Sequence, residues 1–279
     1  MTGASMADLA RRAADAGAGI GAFNVIQLEH AEGIVTGAEQ AGRPVVLQVS
    51  ENTVAYHGAL APIANACLTI ARQASTEVVV HLDHALRLDL VREAIDLGIP
   101  SVMYDASAMP HEENIAATQS VVSAAHAAAV WVEAELGEVG GKDGVHAPGV
   151  RTRPGEAAAY VSATGVDALA VAVGSSHAML TRDAELDDDL IAQIAAAVPV
   201  PLVLHGSSGV PDEGLRRAVA HGMRKINVAT QLNKVMAAAV REALADPALV
   251  DPRKYLGPGR AAVSAEVARL LTLLAPSPY

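Results

Sequence analysis

Three histidines stand at the ends of short β-branched runs of the sequence. His84 ends VVVHLDH, His177 follows ALAVAVG by three residues, and His205 falls near the end of PLVLHG. Imidazole nitrogens are common zinc ligands, and catalytic zinc sites use three protein ligands while leaving a position open for water or substrate. If the runs are neighbouring strands whose ends converge, these three side chains are predicted to bind one divalent metal ion.

Carboxylates stand beside the histidines or end other runs. Asp83 directly precedes His84, Asp105 ends SVMYD, and Glu135 lies in VWVEAEL two residues after Glu133. An ionisable group in an apolar strand is costly unless it is paired or faces a site. We interpret Asp83 as functional. Asp105 and Glu135 are either ligands of a second metal ion, hydrogen-bonding partners of the first ligands, or members of buried ion pairs. Glu133 is either functional or a member of a buried ion pair.

Two small-residue turns, GSSG at 206–209 and NVATQ at 227–231, each precede a predicted helix. Small residues let backbone amides approach a ligand, and helix N-termini favour bound phosphate. Barrel enzymes often bind phosphate after their seventh and eighth strands. The two turns therefore predict a phosphate site beside the metal site.

The elements that position these residues alternate along the chain as β-branched runs and Ala-rich helical segments. Eight such units in 279 residues predict one closed (β/α)8 barrel domain over 1–279, with an extra N-terminal helix at 5–16 and a C-terminal one at 261–274. A doubly wound open sheet is the rival, but no GxGxxG follows the first run. The Gly-rich stretch 137–155 is a candidate lid. The predicted strands are 21–25, 45–50, 78–84, 101–105, 130–136, 168–174, 201–206 and 225–230.

The composition limits the partners and the setting of the protein. The formal charge is −11, and no basic run exceeds two residues, which argues against binding to nucleic acid or an anionic membrane. The single Cys67 lies in an apolar helical segment and is expected to be a buried thiol. The N-terminus resembles no signal peptide, so we expect a cytoplasmic protein.

The motifs, taken in order, resemble those of the class II, zinc-dependent ketose-bisphosphate aldolases, the fructose- and tagatose-bisphosphate aldolase type. The resemblance runs from residue 21 to residue 231, most of the chain, and depends on the order and spacing of separate motifs. These are GAFNV, HLDH, SVMYDAS, VEAELGEVGG, ALAVAVGSSH, LVLHGSSG and KINVAT.

This resemblance implies one Zn²⁺ per subunit held by His84, His177 and His205, with a monovalent cation as an additional option. It implies that Asp83 takes the proton of the substrate C4 hydroxyl and that Asp143 is the best match for a second acid. It also implies a phosphorylated sugar substrate, dihydroxyacetone phosphate as a product, and a homodimer or homotetramer. The residues implied to line the substrate site are Asn24, Ser50, Gly206, Ser207, Ser208, Asn227, Ala229 and Thr230.

Several residues depart from the family pattern in the substrate half of the site. The loop reads GGKDGV around Asp143, Ala178 replaces a usual glycine, and Arg151 and Arg153 follow the loop. The arginines are either a clamp for a second anionic group or surface residues. Two alternatives therefore stay open. One is the same lyase chemistry on another phosphorylated sugar, a deoxy-keto acid or a sulfonated one. The other is a metal-retaining sugar-phosphate binding protein with little turnover.

Overall fold

The computed structural model describes residues 5–136, 151–176 and 179–275 of the chain. Within these ranges eight parallel strands close into a barrel in chain order, β1 to β8, which confirms the predicted fold. The strands are β1 (Ile20–Asn24), β2 (Val45–Ser50), β3 (Val78–Ala85), β4 (Ser101–Tyr104), β5 (Trp131–Glu135), β6 (Ala168–Ala170), β7 (Leu202–Leu204) and β8 (Met223–Val228).

Helices connect the strands and flank the barrel. Glycines in the left-handed conformation follow several of them, for example Gly42 (φ 60°) and Gly165 (φ 71°), because glycine has no Cβ to oppose that backbone. The helices are α1 (Met6–Ala16), α2 (Leu28–Ala41), α3 (Glu51–His57), α4 (Ala61–Gln73), α5 (Leu88–Asp96), α6 (His111–Ala127), α7 (Pro154–Thr164), α8 (Asp188–Ala197), α9 (Asp212–His221), α10 (Thr230–Ala243) and α11 (Pro252–Leu273).

Several elements differ from their predicted lengths, β6 and α11 by the most residues. Strand β6 ends at Ala170, because Ala172 exchanges hydrogen bonds with Thr152 instead of continuing the ladder. Helix α11 begins at Pro252, nine residues earlier than predicted, and contains Pro258. Asp251 caps its first turn, and its packing against α2 and α10 offsets the hydrogen bond that Pro258 removes.

The candidate lid lies mostly outside the described residues, which resume at 151. Its last two residues, Pro154 and Gly155, belong to α7 and not to a loop. The part of the prediction that covers 137–150 therefore stays a prediction.

The buried apolar residues form two clusters within the described chain. The larger lies between the sheet and the surrounding helices. The smaller fills the amino-terminal end of the barrel, called the base here, where α1 contributes Met6, Leu9, Ala10 and Ala13. Side chains alternate between the two faces of a strand, and the strand residues of this cluster occupy inward positions. They are Ile20, Ala22, Val46, Val79, Met103, Trp131, Ala168, Ala170 and Val203.

Two further features bear on the setting of the protein. Cys67 is fully buried, as expected, and burial raises the pKa of its thiol to about 12. In the described ranges no single helix has the length and apolar character needed to cross a membrane. Only α3 and α4 taken together, bent by 117°, meet that requirement.

Candidate active site

An irregularity in β3 brings two consecutive residues to the carboxyl end of the barrel, called the mouth here. In a regular strand Asp83 and His84 would point to opposite faces. The pairing of β3 with β4 shifts register between Leu82 and Ala85, and His84 has a left-handed backbone (φ 50°). Such a bulge re-aims side chains. As a result, ligand atoms of Asp83, His84 and His205 lie within 4.8 Å of one another.

Two of the three predicted metal ligands, His84 and His205, lie in the described residues, and a carboxylate orients each of them. The Nδ1 of His84 is 2.8 Å from Oδ2 of Asp105, and the Nε2 of His205 is 2.9 Å from Oε1 of Glu133. An ionised carboxylate only accepts, so each of these nitrogens is the donor. The lone pairs therefore belong to Nε2 of His84 and Nδ1 of His205. The two rings meet edge to face with centroids 4.5 Å apart.

These residues have the donor chemistry of a divalent metal site. Burial holds the pKa of His205 well below its usual range, with the nearby charge of His84 acting in the same direction. The neutral imidazole that results is the form that binds metal. A second group of possible ligand atoms comprises His84, Asp105 and Glu135. Glu135 Oε2 lies 3.5 Å from Nδ1 of His205. The residues present therefore fit a divalent cation.

Asp83 is held on one side only. Its Oδ2 accepts a hydrogen bond from the Asn24 amide at 3.3 Å, and the Gln48 amide donates to Asn24 Oδ1 at 3.1 Å. Its Oδ1 is buried and has no hydrogen-bond partner in the described part of the molecule. A buried, unsatisfied carboxylate oxygen is costly unless a ligand completes it. This oxygen is thus available to a substrate hydroxyl.

The turns after β7 and β8 contact each other as well as their neighbours. Gly206 has φ 66°, and a Cβ there would lie 2.6 Å from the backbone of Ser176, so the position requires glycine. The Ser207 hydroxyl donates to the backbone carbonyl of Asn227, and Ser208 Oγ accepts from the backbone N–H of Gln231 at 3.1 Å. These contacts hold the start of α10 beside the turn.

The remaining predicted site residues occupy varied positions. Ser50 caps α3 by accepting from the Thr53 amide at 3.2 Å. Ala229 immediately precedes α10, and Thr230 is its first residue. The Asn227 side chain is 8% exposed, and neither of its amide atoms has a hydrogen-bond partner among described residues. His177, Ala178 and Asp143 lie outside the described residues.

The two arginines considered as a clamp differ in their surroundings. Arg153 is exposed and pairs at 3.3 Å with Glu156 in the first turn of α7, the helix that it precedes. Arg151 lies close to Gly174, in the segment that follows β6. A Cβ added to Gly174 would be 3.3 Å from a guanidinium nitrogen of Arg151. The structure thus places Arg151, and not Arg153, against the loop that follows β6.

Spacing along the sequence identifies only one of four buried polar residues, Glu133, as a candidate for a buried ion pair or a functional role, and misses the other three. Gln48, Glu133 and Lys225 lie inside the barrel and are at most 1% exposed. Each stands two residues from a predicted site residue on its own strand, which is the signal that marks a shared face. His30 lies on α2 and is 3% exposed, because the face of α2 that carries it is covered, with α10 contributing Asn233.

The fold and the site together define a parallel eight-stranded barrel with a candidate active site at its mouth, where the residues present fit a divalent cation. A model of the family described as class-II fructose-bisphosphate aldolase matches residues 4–277. The chain belongs to this family. Its members are metal-dependent lyases that act on phosphorylated sugars, and the resemblance stated from the sequence is confirmed.

Individual relatives agree with this assignment. The chain is 42% identical over 253 residues to a fructose-bisphosphate aldolase of Geobacillus stearothermophilus, covering 89% of this chain and 88% of that one. It is 40% identical over 268 residues to the probable fructose-bisphosphate aldolase of Bacillus subtilis (strain 168), covering 94% of each. The crystal structure of the YdjI aldolase from Escherichia coli K12 matches with a TM-score of 0.84 and 30% identity. That match covers 98% of this chain and 97% of the other.

Proposed function

We propose that this protein catalyses the reversible, zinc-dependent aldol cleavage of a ketose 1,6-bisphosphate, with fructose 1,6-bisphosphate as the first candidate and tagatose 1,6-bisphosphate as the second. The products are dihydroxyacetone phosphate and an aldehyde phosphate. The observation that carries the proposal is the convergence of Asp83, His84 and His205 within 4.8 Å, with each ring oriented by its own carboxylate.

His84 and His205 would hold the cation, with His177 as a third ligand. When bound, a Zn²⁺ ion supplies Lewis acidity toward a substrate carbonyl without a Schiff base. Asp105 and Glu133 hold the two imidazoles in the tautomers that present a lone pair, which is the usual task of carboxylates behind metal-binding histidines.

Asp83 acts on the hydroxyl at C4 of the substrate. Its Oδ1 accepts the hydroxyl proton as the C3–C4 bond breaks, while Asn24 and Gln48 keep Oδ2 in place. A base held at one oxygen and open at the other has a fixed direction of attack, which favours proton transfer. Asp143 is proposed as the acid that protonates C3.

The phosphate of the dihydroxyacetone half would bind at the turns after β7 and β8. Gly206, Ser207 and Ser208 offer backbone N–H groups, and Ala229 and Thr230 offer those at the start of α10. Backbone amides bind phosphate without a net positive charge, which suits a chain with a formal charge of −11. Asn227 and Ser50 complete the lining.

Metal removal tests the chemistry. Dialysis against a chelator is expected to abolish cleavage of fructose 1,6-bisphosphate, and one equivalent of Zn²⁺ is expected to restore it. His84→Ala and His205→Ala should each lose the zinc measured by mass spectrometry. His221→Ala, a partly exposed histidine at the end of α9, should keep it. Cleavage that survives complete metal removal would contradict the proposal.

A substrate panel tests the specificity. Fructose 1,6-bisphosphate, tagatose 1,6-bisphosphate, a phosphorylated deoxy-keto acid and a sulfonated sugar phosphate should be compared by kcat/KM. The proposal expects one of the two bisphosphates to be preferred by at least about tenfold, or about 1.4 kcal/mol. Preference for either of the other compounds would move the assignment to a different sugar. Binding to all four without turnover would indicate a sugar-phosphate binding protein.

The assembly and location of the protein are part of the same proposal. We propose a homo-oligomer, dimer or tetramer, because large apolar side chains are exposed on the mouth side of the barrel, among them Tyr56, Leu86 and Leu180. Light scattering after size exclusion measures this. We propose a cytoplasmic location because Cys67 is an unpaired thiol, and cell fractionation tests it.

A further inference from the structure

A lysine lies inside the barrel where the proposed reaction has no direct use for it. Lys225, on β8, is 1% exposed, and its Nζ donates to Oε2 of Glu133 at 2.8 Å. It stands two residues before Asn227, so it points to the same face but one layer deeper than the mouth. A buried ammonium is costly unless it is paired with good geometry. A lysine buried at this depth is therefore expected to have a function.

Glu133 connects that lysine to a proposed metal ligand. The carboxylate is fully buried, and its two oxygens have different partners: Oε1 accepts from Nε2 of His205 at 2.9 Å, and Oε2 accepts from Lys225. β5 and β8 are separated in the barrel by β6 and β7. The contact between Lys225 and Glu133 therefore crosses the interior and reaches His205 from below.

A second imidazole shares the space around Glu133 without taking the place of the lysine. Nε2 of His81 lies 3.8 Å from Oε2 of Glu133, beyond hydrogen-bond distance, and its Nδ1 is 2.6 Å from Oγ of Ser101. Burial and the charge of Lys225 both lower the pKa of His81. Lys225 is thus the charged partner of Glu133 within the described residues.

We propose that Lys225 is a positioning residue for the metal site: it fixes the carboxylate of Glu133, and Glu133 in turn fixes the ring of His205. The proposal rests on the proposed metal-binding role of His205. A carboxylate behind a metal-binding imidazole sets the ring orientation and raises the basicity of the ligating nitrogen. A carboxylate with one oxygen tied to Lys225 offers the other in a single direction. Lys225 itself touches no reacting atom.

The test compares metal affinity in Lys225→Met, Lys225→Arg and the wild type, with the exposed Lys254→Met as a matched control. Zn²⁺ affinity is measured by competition with a chromophoric chelator, and the visible spectrum of the Co²⁺-loaded protein reports ligand geometry. Lys225→Met is expected to weaken Zn²⁺ binding by about 10- to 100-fold and to shift the Co²⁺ bands. Lys225→Arg should restore much of both, and Lys254→Met should match the wild type.

A double-mutant cycle separates positioning from a general effect on the fold. Glu133→Gln removes the charge that Lys225 contacts, so adding Lys225→Met to Glu133→Gln should change Zn²⁺ affinity by less than about twofold. If Lys225→Met alone does not fold because it leaves Glu133 unpaired, the comparison of Glu133→Gln with the double variant decides. An equal loss of affinity in both backgrounds would overturn the positioning role.

Two outcomes distinguish this proposal from the function on which it rests. Wild-type affinity and spectrum in folded Lys225→Met, together with loss of zinc in His205→Ala, would overturn the role of Lys225 alone. Retention of zinc by His205→Ala would overturn the metal site itself, and the role of Lys225 with it.

Discussion

The base and the mouth of the barrel interior are built from the same strands but have opposite chemistry. Along β3 the inward residues change from Val79 to Asp83, and along β7 they change from Val203 to His205. The base is apolar and closed by α1, whereas the mouth carries the acids and imidazoles. Residues that stabilise the barrel and residues that are placed to react are thus separated along each strand by only a few positions.

The largest expected effect comes from the mouth. Asp83→Asn keeps the shape of the side chain but removes its ability to accept a proton. We expect kcat for sugar bisphosphate cleavage to fall by about 10³-fold, within the range for loss of a general base, with a thermal midpoint close to that of the wild type. Asp89→Asn, at an exposed site after β3, is the control. Wild-type turnover in Asp83→Asn would show that the mouth acts through another base.

The base should respond in the opposite way. Leu9→Ala removes a side chain that is 2% exposed and packs inside the base. We expect a loss of about 2–4 kcal/mol in the free energy of unfolding measured with urea, and nearly unchanged kcat at temperatures where the variant is folded. Leu244→Ala, at a 45% exposed leucine, should cost well under about 1 kcal/mol. A similar loss in both variants would mean that α1 does not stabilise the base.

A smaller effect is expected from a polar substitution in the base, which tests whether the base must be apolar. Val79→Thr keeps the volume but adds a hydroxyl to a fully buried position. Because Val79 lies among the apolar side chains of the smaller cluster, the hydroxyl is expected to cost about 1–3 kcal/mol of unfolding free energy. Val250→Thr, at an 82% exposed valine, should change it by less than about 0.5 kcal/mol. An unchanged stability in Val79→Thr would show that the base tolerates polar groups.

The smallest effect concerns a buried polar group that lies on a helix, outside the interior of the barrel. Burial lowers the pKa of His30 below its usual value near 6.5, although a contact with Asn233 and the charge of Glu29 oppose this. The unfolded chain therefore takes up the proton first as pH falls, and stability present above about pH 6.5 is lost below it. The slope contributed is at most about 1.4 kcal/mol per pH unit.

Urea unfolding at pH 8, 6.5 and 5 measures that slope. His30→Gln should flatten the pH dependence below about pH 6.5, whereas His221→Gln, at a partly exposed position, should leave it unchanged. An identical slope in His30→Gln and the wild type would mean that His30 is protonated equally in both states.

The sequence predicts the barrel well, because each strand is a β-branched run and reactive residues mark where it ends. Those ends also predict which side chains meet, as His84, His205 and Asp83 do. Contacts that depend on how deep a side chain lies in the barrel interior could not be predicted from the sequence. Glu133 and Glu135 share a face by their spacing, but only the closed barrel decides that Glu133 receives the hydrogen bond from His205.

Other differences have a tertiary cause. Periodicity alone places His30 on an ordinary helix, and only packing against the rest of the protein buries it. The early start of α11 depends on its contacts with α2 and α10, which offset the cost of Pro258. The bulge in β3 leaves no mark in the letters HLDH, since its backbone conformation is fixed by pairing with β4.

The bulge brings two consecutive residues into one site, so the distances within the site do not all vary alike. Asp83 and His84 are joined by one peptide bond, so their Cα atoms stay about 3.8 Å apart whatever the barrel does. The separation of His84 from His205, by contrast, depends on the packing of β3 and β7 and changes with any expansion of the sheet. The backbones of the acid and its neighbouring imidazole therefore shift together, whereas the gap between the two rings depends on how β3 and β7 are placed.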